Sequence, residues 1–140
     1  MEQARASCMI KANTHGGGSA PYDRDRELQD LLKHIGHIVG VTGALAVTPG
    51  GFVLGSTLPA EMTDLVAGAG LELYDSAEAF VCSDSVGHGR LHQTFGRTSQ
   101  GWLHVADFGG GLVISVTDTN EMNCLIGLAK RVTRLVTDDS

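Results

Sequence analysis

At 140 residues, with 42% hydrophobic and 19% charged residues, the chain has the size of one domain with one core. The net charge is −6 and the 10 Lys and Arg form no basic cluster, so the phosphate-neutralising footprint of a nucleic-acid binder is missing. No apolar run approaches the ~20 residues of a membrane span, so no membrane insertion is expected. The N-terminus has no apolar signal core, because Arg5 and Ser7 interrupt Ala4–Ile10. Cys8, Cys82 and Cys124 are widely spaced and contain no CxxC. They read as unpaired thiols, which fits a reducing cytoplasm.

Residues 1–22 carry Gly16-Gly17-Gly18-Ser19 and no sustained periodicity, and are read as a flexible tail ahead of a single domain over 23–138. His15, beside the glycines, reads as linker rather than metal ligand. Asp23 or Asp25 caps a first helix that runs to about His37. Its stripe is Leu28, Leu31, Leu32, Ile35 and Val39.

Val41–Leu58 then reads as two short apolar strands around Pro49-Gly50-Gly51, a hairpin signal. The strands lack charge, so both faces are expected to be covered. A hydroxyl at Ser56 or Thr57, then Pro59 and Glu61, starts a second helix reaching Val81. Met62, Leu65, Val66, Ala69, Leu73, Ala77 and Phe80 form one stripe on it, and Ala67, Gly70, Leu71, Tyr74 and Val81 form a second.

One helix on one sheet buries one stripe, so two stripes imply two packing partners. Gly68 and Gly70 each cost roughly 1 kcal/mol relative to Ala, tolerable where another backbone approaches closely. The second partner is another element of the same chain or another subunit. The subunit contact is the preferred reading.

Ser83–Gly89 is a loop. Three strands follow at Arg90–Thr98, Trp102–Phe108 and Leu112–Thr117, with turns at Ser99-Gln100-Gly101 and Gly109-Gly110-Gly111. Asp118-Thr119-Asn120 caps a last helix, whose buried face is read as Met122, Leu125, Ile126, Ala129, Val132 and Val136. The element order is αββαβββα.

Chemistry is thin along this chain. There is no GxxxxGK[ST], no GxGxxG after a strand and no GxSxG elbow. His34 and His37 lie at i, i+3 on the polar edge of the first helix without a third ligand. Pairing about the Ser99–Gly101 turn sets His104 opposite Gly96, too far from His88 and His92 for ~2 Å zinc bonds. Cys82, Ser83, Asp84, Ser85 and His88 share a polar loop that needs no catalytic explanation. No catalytic, cofactor-binding or metal residue is assigned, and no enzyme activity is expected.

Three segments resemble the Roadblock family of dynein light-chain-like proteins, in its short prokaryotic branch: the hairpin IVGVTGALAVTPGGFVLGS, the strand pair FGRTSQGWLHVADFGGGLVISVTD, and the closing helix NEMNCLIGLAKRVTRLV. The likeness spans about Leu28 to Val136. Pro49-Gly50 departs from the acidic or polar turn usual before Gly51, and the second helix is richer in glycine. The resemblance implies an α+β sandwich similar to profilin and longin domains. A five-stranded antiparallel sheet would carry the long helix on one face and the terminal helices on the other.

The resemblance also implies a homodimer formed by third-strand pairing and second-helix packing. In this sequence that interface falls on Ala67, Gly70, Leu71, Tyr74, Val81, Leu91, Gln93 and Phe95. Dimers of the family serve as platforms, activating partners or scaffolds for small Ras-like GTPases, so the expectation is a cytoplasmic, non-enzymatic signalling regulator. Arg90 and Arg97 are edge-strand candidates for an arginine finger, with no basis for choosing either. The rival readings are a small-molecule sensor with a pocket between sheet and helix, and a structural scaffold without a GTPase.

Overall fold

The computed structural model describes residues 21–83, 87 and 89–138. The features read at Cys8, His15, Gly16–Ser19, Asp84, Ser85 and His88 lie outside them. The elements are α1 (Pro21–Gly36), β1 (Val41–Val47), β2 (Val53–Ser56), α2 (Ala60–Val81), β3 (Gln93–Thr98), β4 (Gly101–Asp107), β5 (Leu112–Thr117) and α3 (Met122–Asp138). All strand pairs are antiparallel, in the order β2-β1-β5-β4-β3.

Strand alternation divides the core into two layers. On one face, Ala44, Ala46, Ala106 and Val113 pack with Leu28, Leu32 and Ile35 of α1 and Leu128 and Val132 of α3. On the other, Leu45, Val47, Val105, Leu112 and Ile114 pack with Ala67 and Tyr74 of α2. The sandwich and its element order are those expected.

Details differ for local reasons. At the β1–β2 turn, Gly51 takes φ +97° and its N–H donates to the Thr48 carbonyl. β1 is covered on both faces, but β2 lies at the sheet edge and leaves Phe52, Val53 and Leu54 exposed. Lack of charge in β2 therefore does not mark a covered strand.

α1 stops at Gly36, so its helical phase ends there: Ile38, not Val39, returns to the core. β3 starts at Gln93, three residues later than expected, although the Asp107 N–H still reaches the His92 carbonyl. The β3–β4 turn has two central residues, Ser99 and Gln100, so His104 faces Phe95 and not Gly96. α3 buries Leu125, Leu128 and Val132, while Met122 and Ile126 point to solvent.

Candidate interaction surface on the long helix

α2 opens at Pro59, whose carbonyl accepts the N–H groups of Met62 and Thr63. The hydroxyls expected to cap it lie just upstream. Ser56 Oγ accepts the Leu58 N–H at 3.0 Å and sits 2.9 Å from Thr63 Oγ1. Thr57 Oγ1 instead accepts the Ala44 N–H at 2.9 Å, tying the linker to β1.

The stripes of α2 exchange the roles expected of them. Ala67, Gly70 and Tyr74 face the chain's own sheet, and Tyr74 is 1% exposed. Gly70 lies against Ile114, so that a Cβ there would collide with the Ile114 side chain. The small residues on this stripe let α2 approach its own β5, not the helix of a second copy.

The other expected contact residues are also engaged within the chain. Leu71 and Leu91 pack on the same core, and Val81 is half-buried. Gln93 and Phe95 turn to the opposite layer, where Gln93 reaches Thr133 and Phe95 meets Trp102 edge-on at 6.2 Å.

The opposite stripe is the surface one. At about 100° per residue, Leu65 lies diametrically across the helix from Tyr74. It is 75% exposed, with Phe80 at 65% and Met62 at 40%. Leu73 leans over Gly96 of β3, where a Cβ would come within 2.8 Å of it, while Leu71 leans toward Gly51 at the β1–β2 turn. The uncharged flank Met62–Ala69–Leu73–Phe80 therefore overhangs β3. Among the described residues that strand pairs only with β4, and its other edge has no partner strand. An apolar helix flank thus borders an unpaired strand edge. Gly68 lies on the exposed side with open space around it.

Beneath the C-terminal half of α2 lies a buried polar cluster that the sequence reading passed over. Glu78 continues the inward stripe one turn after Tyr74, and an acid on an apolar stripe was the available signal. It is 0% exposed, and burial raises its carboxyl above the usual range. The Tyr74 hydroxyl lies 2.7 Å from Glu78 Oε2 and 2.6 Å from the Leu91 carbonyl oxygen. Burial, then the Glu78 hydrogen bond, pushes that hydroxyl far up.

Arg90 Nη2 donates to Asp107 Oδ2 at 2.6 Å, and Asp107 Oδ1 accepts the Gly109 N–H at 2.7 Å. Arg90 is thus committed within the fold, whereas Arg97 lies exposed over the Trp102 ring at 5.9 Å. His34, in the last turn of α1, and His37, just beyond its end, are exposed, each with Nδ1 2.7 Å from the carbonyl four residues back. Among the described residues no group of three His, Cys, Asp or Glu is placed to hold a metal ion. No helix in this part of the chain is long and apolar enough to cross a membrane. Cys124 is a free thiol, but Cys82 is disulfide-bonded, against the expectation of unpaired cysteines.

This architecture is the Roadblock/LC7 fold. It matches a Roadblock/LC7 domain from Streptomyces avermitilis at 17% identity and TM-score 0.65, over 81% of this chain and 92% of that one. The gliding protein MglB from Thermus thermophilus matches at 20% identity and TM-score 0.63, over 88% and 95%. Myxococcus xanthus MglB matches at 10% identity and TM-score 0.68, over 86% and 92%. No protein-family model and no curated protein matches the sequence.

Proposed function

We propose that this protein is a non-enzymatic homodimeric platform that binds a small Ras-like GTPase and regulates its nucleotide cycle or its location. The observation that carries the dimer is the uncharged outer flank of α2, bordering the open edge of β3. A two-fold axis beside β3 would pair the two edges antiparallel and bring the α2 flanks together in one step. The contact then runs through Met62, Leu65, Ala69, Leu73 and Phe80 with the backbone of β3.

The GTPase partner rests on the fold and on the resemblance in the hairpin, meander and closing helix. Regulation would act by ordering the partner's switch loops. The ion pair to Asp107 keeps Arg90 from serving as a finger.

The test is the mass in solution by light scattering, for wild type and Leu65→Arg. The expected result is a dimer that becomes a folded monomer in the variant. A monomeric wild type at tens of micromolar would refute the dimer. The dimer is then mixed with a Ras-like GTPase from the same cell, loaded with a GTP analogue. Failure to co-elute with any such GTPase would refute the partner class.

A further inference from the structure

We propose that Glu78 is held as a neutral acid whose proton is a pH-sensitive latch, fastening the C-terminal half of α2 to the segment that leads into edge strand β3. The Tyr74 hydroxyl has one proton and two acceptors at hydrogen-bond distance, Glu78 Oε2 at 2.7 Å and the Leu91 carbonyl at 2.6 Å. An ionised Glu78 would make that one proton serve both. It would also leave a buried carboxylate whose Oε1 has no partner among the described residues. A protonated Glu78 removes the conflict: its O–H donates to the Tyr74 oxygen, and the Tyr74 O–H donates to Leu91. Each proton then has its own acceptor.

Burial outweighs the Tyr74 hydrogen bond and the Arg90 charge, which favour the ionised form, while Asp107 and Asp75 favour the neutral one. The titratable and charged groups facing Glu78 among the described residues are Tyr74 and Asp75 from α2, Arg90 from the segment before β3, and Asp107 from β4. Arg90 is committed to Asp107 through Nη2 at 2.6 Å, and Asp75 adds a further negative charge. Burial is the largest influence on the carboxyl and raises it from 4.5.

The direction of the switch follows. The folded value lies above the unfolded one, so the stabilisation is complete below the unfolded value and is lost as pH rises through the folded one. On deprotonation the Glu78 proton passes to water. The Tyr74 proton turns to the new carboxylate, and the Leu91 carbonyl loses its donor. The segment Leu91–Gln93 then loosens at the start of the edge strand. The latch is internal to one protomer and does not depend on a second copy or a GTPase.

The experiment follows the side-chain carboxyl carbons by NMR from pH 4 to 9 in the full chain, for wild type and Glu78→Gln. Amide exchange of Leu91–Gln93 is measured over the same range and corrected for its intrinsic pH dependence. The expected result is a wild-type carboxyl resonance, missing in Glu78→Gln, with a midpoint above 4.5. Exchange at Leu91–Gln93 accelerates with that midpoint in wild type and stays flat in the variant. A Glu78 resonance titrating at or below 4.5 would overturn the proposal, as would equal acceleration in both proteins. Should Glu78→Gln not fold, the wild-type resonance alone decides, assigned through its contacts to Tyr74. A monomer in light scattering would defeat the platform reading and leave these readouts untouched.

Discussion

Acid is expected to destabilise this fold through one residue in particular, His104 on β4. Its side chain is 0% exposed between the sheet and the α1–α3 layer, with its ring 4.6 Å from that of Phe95. Nε2 donates to Gln93 Oε1 at 2.7 Å, Gln93 Nε2 donates to Thr133 Oγ1 at 2.7 Å, and Thr133 donates to the Ala129 carbonyl at 2.8 Å. The buried Nδ1 has no acceptor among the described residues, which favours the neutral imidazole with its proton on Nε2. Protonation would place an unpaired N–H and a charge in the core.

Burial accordingly pushes the His104 pKa down to about 4, from 6.5. The folded value lies below the unfolded one, so the stabilisation is complete above 6.5 and is lost as pH falls toward 4. The gap of about 2.5 pH units, at ~1.4 kcal/mol each, amounts to about 3–4 kcal/mol in full, of which about 3 kcal/mol is lost by pH 4. The assay is denaturant unfolding between pH 7.5 and 4, for wild type and His104→Phe. The variant keeps a ring against Phe95 and does not titrate. Wild type should lose about 3 kcal/mol more than the variant across this window. Glu78 acts with the opposite sign, but it is present in both proteins and drops out of the difference. Parallel curves would refute the assignment of a neutral, depressed His104.

Three further substitutions probe α2 and its surroundings, and one pair separates its two faces. Gly68→Ala should stabilise by up to about 1 kcal/mol, because the position is open and Ala is the better helix former. Gly70→Ala should destabilise by about 1–3 kcal/mol, since its Cβ meets Ile114; thermal melts showing the same sign for both would contradict the orientation of α2. Asp107→Asn removes the ion pair with Arg90, leaves a half-buried guanidinium beside Glu78, and should cost about 2 kcal/mol in urea titrations. Tyr74→Arg should unfold the protein, because Tyr74 is 1% exposed, whereas Leu65→Arg, at a position 75% exposed, should leave the circular dichroism spectrum native.

The succession of elements was legible in the amino-acid order alone. The short charge-free apolar run Val41–Val47 ending at Pro49-Gly50-Gly51, the helical spacing in Leu28–Ile35 and the glycine-marked turns each point to one local structure. The same patterns placed most of the core, including Leu45, Ile114 and Val132. They left open the direction of faces where two choices were equally apolar.

α2 carries two stripes of similar hydrophobicity, so periodicity alone was silent on which one faces the sheet. Tertiary packing decided: only the stripe with Gly70 lets the helix settle over Ile114, and only that stripe brings the Tyr74 hydroxyl to the Leu91 carbonyl. The same limit misplaced Val39, Met122 and Ile126, where a helix end or a neighbouring helix set the phase. The β3–β4 register required the turn length, and one residue of difference moved His104 from Gly96 to Phe95. Glu78 and Arg90 were two charges among many in the sequence. They became a cluster only when the fold brought a helix, a loop and a strand from far apart in the chain to one buried point, where desolvation gives each charge its energetic weight.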